Sequence, residues 1–313
     1  MKHYITVDGG TTNTRVTLMQ ADTPLQTVRI PFGARASMTD PQALPSAIKN
    51  AIDTLLNAHG LKETEIERIL ASGMITCEFG LCPLPHIAAP AGIRELHASM
   101  HEVVMESISH IPFVFIRGVK TVGETVADTD MMRGEETELM GLLSSDLTPN
   151  TLYILPGSHS KLIETDHAGR ICRFATMLTG EMIASLAEGT ILKDAVDLSI
   201  TDRDPAFLLD GCKYAMEHGI NEALFKVRIL KNLFSRTPVE VYSFFLGVIL
   251  SSEIQAILRA TPTRVVIGGK AQIKKATECL LRSLSKKEIV TVSDADVDVS
   301  SSRGAIRIYE YQK

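Results

Sequence analysis

Residues 8–15, Asp-Gly-Gly-Thr-Thr-Asn-Thr-Arg, set an aspartate at the end of a strand-like run and follow it with two glycines and small polar residues. A turn of this kind offers outward backbone N–H groups and hydroxyls from Gly9, Gly10, Thr11, Thr12 and Asn13, the donors that a phosphate needs. Asp8 stands where it could bear on a metal ion. The next residues alternate as Arg15-Val16-Thr17-Leu18, so the turn leads into a strand. A Walker loop or a dinucleotide fingerprint must open a helix, and no G-x-x-x-x-G-K-S/T occurs in the chain, which disfavours both folds. A second polar turn, residues 155–161 (LPGSHSK), supplies Gly157, Ser158 and Ser160, with Lys161 adding charge. Either turn alone also fits an ordinary hairpin. Their recurrence in two halves of the chain argues for two phosphate loops, from facing domains, clamping one triphosphate.

Three further groups could carry chemistry. In residues 133–139 (RGEETEL), Gly134 precedes Glu135, Glu136 and Glu138, a pattern that also suits a helix amino terminus, where the dipole favours carboxylates. Residues 265–269, Val-Val-Ile-Gly-Gly, read as a buried strand whose terminal Gly268 and Gly269 would let an adenine ring lie against the backbone; a tight strand-to-helix turn has the same sequence. His97 and His101 are four apart on an expected helix, but Ala98 stands where an H-E-x-x-H zinc motif has its glutamate. A solvated helix face accounts for them better.

The elements that must position these groups follow from periodicity. Tyr4–Val7, Arg15–Met19 and Leu25–Ile30 read as a three-stranded meander. Helical patterns follow at Pro41–Ala58, with Leu44, Ile48, Ala51, Ile52, Leu55 and Leu56 on one stripe, and at Ile93–Ile108, with strands at Ile66–Ala71 and Phe113–Ile116 interleaved. The second half begins again with strands at Leu152–Leu155, Lys161–Glu164 and Ile171–Met177. Helices at Gly180–Leu192, Pro205–Glu217, Asn221–Phe234 and Pro238–Leu258 come next, then strand Arg264–Ile267, helix Ala271–Ser283, strand Glu288–Val292 and a last helix near Arg303–Tyr311. Tyr4-Ile5-Thr6-Val7-Asp8-Gly9 resembles Tyr153-Ile154-Leu155-Pro156-Gly157 at an offset of about half the chain, a weak internal repeat that suggests two related α/β domains.

Length and composition bound the partners. At 313 residues the chain exceeds what one core supports and favours two domains. Its net charge of -5, without a long basic run, leaves no footprint for nucleic acid and favours a small-molecule partner. The five cysteines are scattered without a Cys-x-x-Cys pair, as in a reducing cytosol. The amino terminus enters a strand without a signal peptide, and the apolar run Phe244–Leu250 is too short for a bilayer span, so a cytoplasmic protein without membrane partners is expected.

The set of motifs resembles the 2-dehydro-3-deoxygalactonokinase family of the actin-like ATPase and sugar kinase superfamily. It is carried by DGGTTNTR at the start, MRGEETELMG (132–141), YILPGSHSKL (153–162) and FATMLTGEM (174–182), with VRIL (227–230) and SSRGAIRI (301–308) beyond. Two departures stand out: Gly9, where family members usually carry tryptophan, and residues 73–81 (GMITCEFGL). The resemblance implies two ribonuclease-H-like α/β domains with an interdomain cleft: 1–118 binding the sugar acid, 119–300 binding nucleotide, and a helix at about 301–313 packing back on the first domain. It implies ATP and Mg²⁺ as cofactors, and transfer of the γ-phosphoryl group to the terminal hydroxyl of a 2-keto-3-deoxy sugar acid. Asp8 would hold Mg²⁺ directly or through water, and Thr11, Thr12, Asn13, Gly157, Ser158 and Ser160 would bind phosphates. Glu135 would be the base with Glu136 behind it, and Arg15 or Arg133 would hold the substrate carboxylate, although a surface salt bridge explains each arginine equally well. A homo-oligomer is compatible with all of this. A kinase of the same fold for another sugar acid, or a nucleotide-driven binding protein, are the competing expectations.

Overall fold

The structure is a computed structural model that describes residues 2–143, 150–269 and 271–312. The chain divides into two compact units: Met1–Pro149 with Thr165–Arg173 and Ala295–Lys313, and Asn150–Glu164 with Phe174–Asp294.

Unit 1 opens with the meander β1 (His3–Gly9), β2 (Thr14–Gln20) and β3 (Thr23–Ile30). Alternating β-branched residues suit a pleated surface that packs on both sides, and Tyr4, Ile5, Val16 and Leu18 are fully buried. Helix α1 (Ala43–His59) buries the stripe Leu44, Ile48, Ala51, Ile52, Leu55 and Leu56 and ends at Gly60, whose φ of 63° lets its N–H close back on the Leu56 and Asn57 carbonyls. Strand β4 (Ile66–Gly73) then lies parallel to β1. After β5 (Ile87–Ala88) and the short α2 (Ile93–Ala98) come β6 (His101–Met105), β7 (Ser109–Phe115), β8 (Val119–Thr121), β9 (Asp130–Met132) and α3 (Glu135–Leu142). The main sheet has the order β3-β2-β1-β4-β7-β6, and β5, β8 and β9 form a small sheet of their own.

The expected helix at 93–108 is corrected here. It stops at Ala98, and His101–Met105 is an edge strand paired antiparallel to β7. Val103 and Val104 satisfy a helical stripe by spacing, but β-branched residues beside an unpaired strand edge gain more from ladder hydrogen bonds. His97 and His101 therefore share no helix face, and His97 Nδ1 instead meets the Ile308 carbonyl at 2.8 Å. Among the described residues no cluster of His, Cys, Asp or Glu could hold a metal ion by itself.

Unit 2 repeats the opening of unit 1. Strands β10 (Thr151–Leu155), β11 (Ser160–Thr165) and β12 (Ile171–Met177) precede α4 (Thr179–Gly189), α5 (Pro205–His218), α6 (Ile220–Asn232) and α7 (Pro238–Arg259), followed by β13 (Arg264–Ile267), α8 (Ala271–Leu284) and β14 (Glu288–Thr291). The sheet order is β12-β11-β10-β13-β14. Strand β10 is antiparallel to β11 and parallel to β13, as β1 is antiparallel to β2 and parallel to β4, so the weak sequence repeat is a repeat of topology. Helix α7 is long and apolar enough to span a bilayer, yet 78% of its apolar window is buried, and Val241 to Leu250 are core residues of unit 2.

The last helix, α9 (Asp294–Tyr309), begins nine residues before the expected start, and from Ala295 it belongs to unit 1. It crosses α3 where Gly141 meets the Ser300 backbone and Gly304 meets the Thr137 backbone, a contact that a Cβ at either glycine would block. The break expected at residue 118 lies inside unit 1, because β8 pairs with β5 and β9 with β8.

Candidate active site

The carboxyl ends of parallel strands are where open α/β sheets place their ligands. In unit 1 the register sets Asp8 beside Ser72 and Gly9 beside Gly73, and the chain bends away at both points. The turn that follows β1 closes with Gly10 N–H on the Asn13 carbonyl at 2.8 Å. Thr11, Thr12 and Asn13 are exposed, and their amide N–H groups donate to nothing among the described residues. Three consecutive free donors in one turn form a concavity suited to an anion.

Glycine is required around this turn by close approach. A Cβ on Gly73, where φ is 84°, would lie 2.5 Å from the Gly9 carbonyl oxygen, and one on Gly134, where φ is 104°, would lie 3.3 Å from Gly73 Cα. Three backbones therefore converge at one place: the end of β1, the end of β4 and the start of α3. A Cβ on Gly9 would come within 2.9 Å of Ile75 Cβ. The two departures from the family pattern, Gly9 and the 73–81 segment, are thus in contact.

This convergence brings Asp8 and the α3 glutamates to the same edge of unit 1. Glu136 is completely buried; its carboxylate accepts both ways from Gly134 N–H, at 3.0 and 2.8 Å, and from Thr137 Oγ1 at 3.0 Å. Burial, reinforced by the neighbouring Glu135, pushes its carboxyl up to about 8. Glu135, by contrast, is partly exposed at the first position of the helix. Of the two, only Glu135 has exposed surface, although its Oε2 is buried; Glu136 fixes the loop that carries it.

Both expected carboxylate-binding arginines have partners. Arg15, cross-strand from Asp8, donates to Asp8 Oδ2 from Nε at 3.2 Å and from Nη2 at 2.5 Å. Arg133 donates to Thr76 Oγ1 at 2.8 Å and to the Leu84 carbonyl at 2.7 Å. Thr76 Oγ1 in turn donates to the Gly73 carbonyl at 3.0 Å, so Arg133 braces the strand end. Burial and the Arg133 charge push the adjacent His86 down to about 4. Arg117 was missed in the sequence. Phe115 pairs with Ala71 and the Ile116 N–H bonds the Ala71 carbonyl, so Arg117 lies level with Gly73 at the same edge. It makes no hydrogen bond or ion pair among the described residues, and its Nε is buried.

In unit 2 the turn between β10 and β11 is held from both sides. Gly180 N–H donates to the Gly157 and Ser158 carbonyls, each at 3.1 Å, and Glu181 N–H to the Ser158 carbonyl at 3.2 Å, so the start of α4 is laced to the turn. Gly269, at φ 69°, packs on Pro156 at the other flank, and Gly268 N–H bonds the Ile154 carbonyl at 2.8 Å. Gly157, Ser158, Gly268 and Gly269 are therefore neighbours in one unit. Ser158 is exposed, and the N–H groups of Ser158 and His159 have no partner among the described residues. Ser160 and Lys161 face inward instead: Ser160 is fully buried and accepts from Gly157 N–H, and Lys161 Nζ donates to the His159 carbonyl at 3.1 Å. They hold the turn from beneath.

Paired sheets of this topology, each with a polar turn after its first strand, define an actin-like ATPase or sugar kinase fold. The activator of 2-hydroxyisocaproyl-CoA dehydratase from Clostridium difficile, solved with bound ADPNP, superposes with a TM-score of 0.51 at 13% identity over 98% of this chain and 94% of its own. A Sinorhizobium meliloti protein described as a candidate 2-dehydro-3-deoxygalactonokinase superposes with a TM-score of 0.80 at 23% identity, over 98% of this chain and all of its own. The Escherichia coli K12 2-dehydro-3-deoxygalactonokinase is 26% identical over 263 residues, 81% of this chain and 80% of that protein. The family model for 2-keto-3-deoxy-galactonokinase matches residues 8–303, and the chain belongs to that family. It is accordingly an ATP-dependent sugar-acid kinase.

Proposed function

We propose that the chain transfers the γ-phosphoryl group of ATP to the 6-hydroxyl of 2-dehydro-3-deoxy-D-galactonate, giving the 6-phosphate and ADP in galactonate catabolism. The observation that supports the reading most is the convergence of an anion-ready turn, residues 10–13, with the amino terminus of α3, where Glu135 is partly exposed. Phosphoryl transfer asks little covalent work of a protein; it needs the phosphates held, the acceptor hydroxyl oriented and the developing charge met by donors.

In this reading Thr11, Thr12 and Asn13 hold phosphate oxygens by backbone N–H and hydroxyl groups, and the Gly157–Ser158 turn, within unit 2, offers phosphate oxygens donors of the same kind. Gly268 and Gly269 leave room for the adenine ring. Glu135 orients the acceptor hydroxyl and takes its proton as transfer proceeds, and Glu136 keeps the Gly134–Glu135 backbone in place. Arg117 receives the sugar-acid carboxylate, since Arg15 and Arg133 are committed to Asp8 and Thr76. Five unpaired thiols suit a reducing cytosol, where ATP is supplied.

Magnesium fits Asp8 within limits. Oδ2 is taken by Arg15, while Oδ1 accepts no hydrogen bond among the described residues and the side chain is one-quarter exposed. That leaves one oxygen for a hydrated ion, and Mg²⁺ bound to nucleotide keeps several waters and needs few protein ligands. When bound, the ion would neutralise charge on the phosphates.

Replacing Glu135 with Gln tests the assignment. Turnover is expected to fall by about 10²-fold or more, the usual worth of a general base, with ATP affinity unchanged. Wild-type turnover in Glu135→Gln would show that another group takes the proton.

A further inference from the structure

Glu253, in the middle of α7, is 1% exposed and plays no part in the reading above. Its Oε2 accepts from Thr179 Oγ1 at 2.7 Å, and burial pushes the carboxyl above its ordinary range although the Thr179 and Ser160 hydroxyls pull the other way. Oε1 is buried without a hydrogen-bond partner, and no cation is among the groups that act on the carboxyl. Burying a carboxylate without a cation is costly, and an apolar residue would serve the core better at this position. Its neighbours along the helix, such as Leu250, Ile254 and Ile257, are the apolar core of unit 2.

The hydroxyls beside it explain where the acceptor is useful. Thr179 is the first residue of α4 and Ser160 the first of β11, so they flank the Gly157–His159 turn from opposite sides. Ser160 Oγ accepts from Gly157 N–H at 3.3 Å, and the residues after Thr179 bond the Gly157 and Ser158 carbonyls. One buried carboxyl therefore bonds one anchor of the turn, Thr179, and acts on the other, Ser160, while the Ser158 and His159 N–H groups stay outward.

We propose that Glu253 is a positioning residue for nucleotide binding: by holding Thr179 and Ser160 it fixes the Gly157–His159 turn in the shape that receives phosphate oxygens. The inference rests on the reading of that turn as a phosphate site. It acts through Thr179 and Ser160 and touches no reacting atom.

The test measures ATP affinity by calorimetry and KM for ATP and for sugar acid, in Glu253→Gln, Glu253→Ala, Thr179→Val and the Glu253→Ala/Thr179→Val double variant, with melting temperature as the control for folding. Ser158→Pro, which removes an outward N–H from the turn itself, is measured alongside. Glu253→Ala is expected to weaken ATP binding about tenfold, the scale of one lost buried hydrogen bond, with KM for the sugar acid unchanged. Thr179→Val should show part of that effect, and the double variant no more than Glu253→Ala alone, because both break one network. If Glu253→Ala does not fold, Glu253→Gln and Thr179→Val carry the comparison. Wild-type ATP affinity in these variants, while Ser158→Pro weakens ATP, overturns the role of Glu253 alone. Wild-type affinity in Ser158→Pro as well overturns the reading of the turn. A loss shared equally by both substrates would show a structural carboxylate and overturn the inference.

Discussion

Glu136→Gln is expected to flatten the dependence of stability on pH. The Glu136 carboxyl is fully buried and held up to about 8 against an ordinary value of 4.5, so the folded chain keeps a proton that the unfolded chain releases. A carboxyl raised on folding contributes stability that is whole below about pH 4.5 and is lost as pH climbs through about 8. Each unit of pH in that window costs about 1.4 kcal/mol, so between pH 5 and pH 7 the wild type should lose about 2.5 kcal/mol through this group. Glutamine has the shape of the protonated side chain and can still accept from Gly134 N–H, so Glu136→Gln should lose correspondingly less over the same interval. Urea unfolding at pH 5, 6 and 7, fitted with a common m-value for each protein, gives the comparison. Equal pH slopes in wild type and variant would refute the burial argument. Because Glu136 is assigned to holding the backbone, the variant should also keep at least a tenth of wild-type turnover.

Two other substitutions test separate parts of the account. Arg117→Ala should raise KM for the sugar acid by about tenfold or more, as loss of a charged hydrogen bond implies, and leave KM for ATP unchanged; steady-state kinetics with each substrate varied would show neither KM altered if Arg117 is idle. Gly180→Ala should raise KM for ATP severalfold although alanine favours an isolated helix by about 1 kcal/mol, because the new Cβ would lie 2.6 Å from the Gly157 carbonyl oxygen. An unchanged KM would mean that the α4–turn contact does not set the geometry of the phosphate site.

What could be read in the sequence was local. The meander after Tyr4, the buried stripe of α1 and the start of α3 at Gly134 follow from alternation, helical spacing and a glycine before acidic residues, and each formed. The segment 93–108 failed because Val103 and Val104 satisfy helix and strand patterns alike, and pairing with β7 decided between them. The start of α9 was hidden because its first turns are polar and its contact with α3 is made by Gly304 and Gly141, which carry no hydrophobic signal. At each turn, taken within its own unit, the exposed small polar residues follow from the turn chemistry. Ser160 and Lys161 were not distinguishable from them, because burial is set by the strand that follows. Glu253 left no trace at all: it sits in an apolar run, and Thr179, which bonds it, is 74 residues away. The free state of Arg117 is likewise a property of packing, since sequence alone does not show which arginines find carboxylates.

Acceptor-dependent ADP release, with Mg²⁺ and ATP over a panel of 2-keto-3-deoxy acids, aldonates and hexoses, decides whether the chain phosphorylates a keto-deoxy sugar acid when the product is examined by phosphorus NMR. Rapid ADP release is expected with 2-keto-3-deoxygalactonate, together with a new phosphomonoester coupled to the C6 methylene protons. ADP release at the same rate without any acceptor, or a faster reaction with a plain hexose, would contradict it.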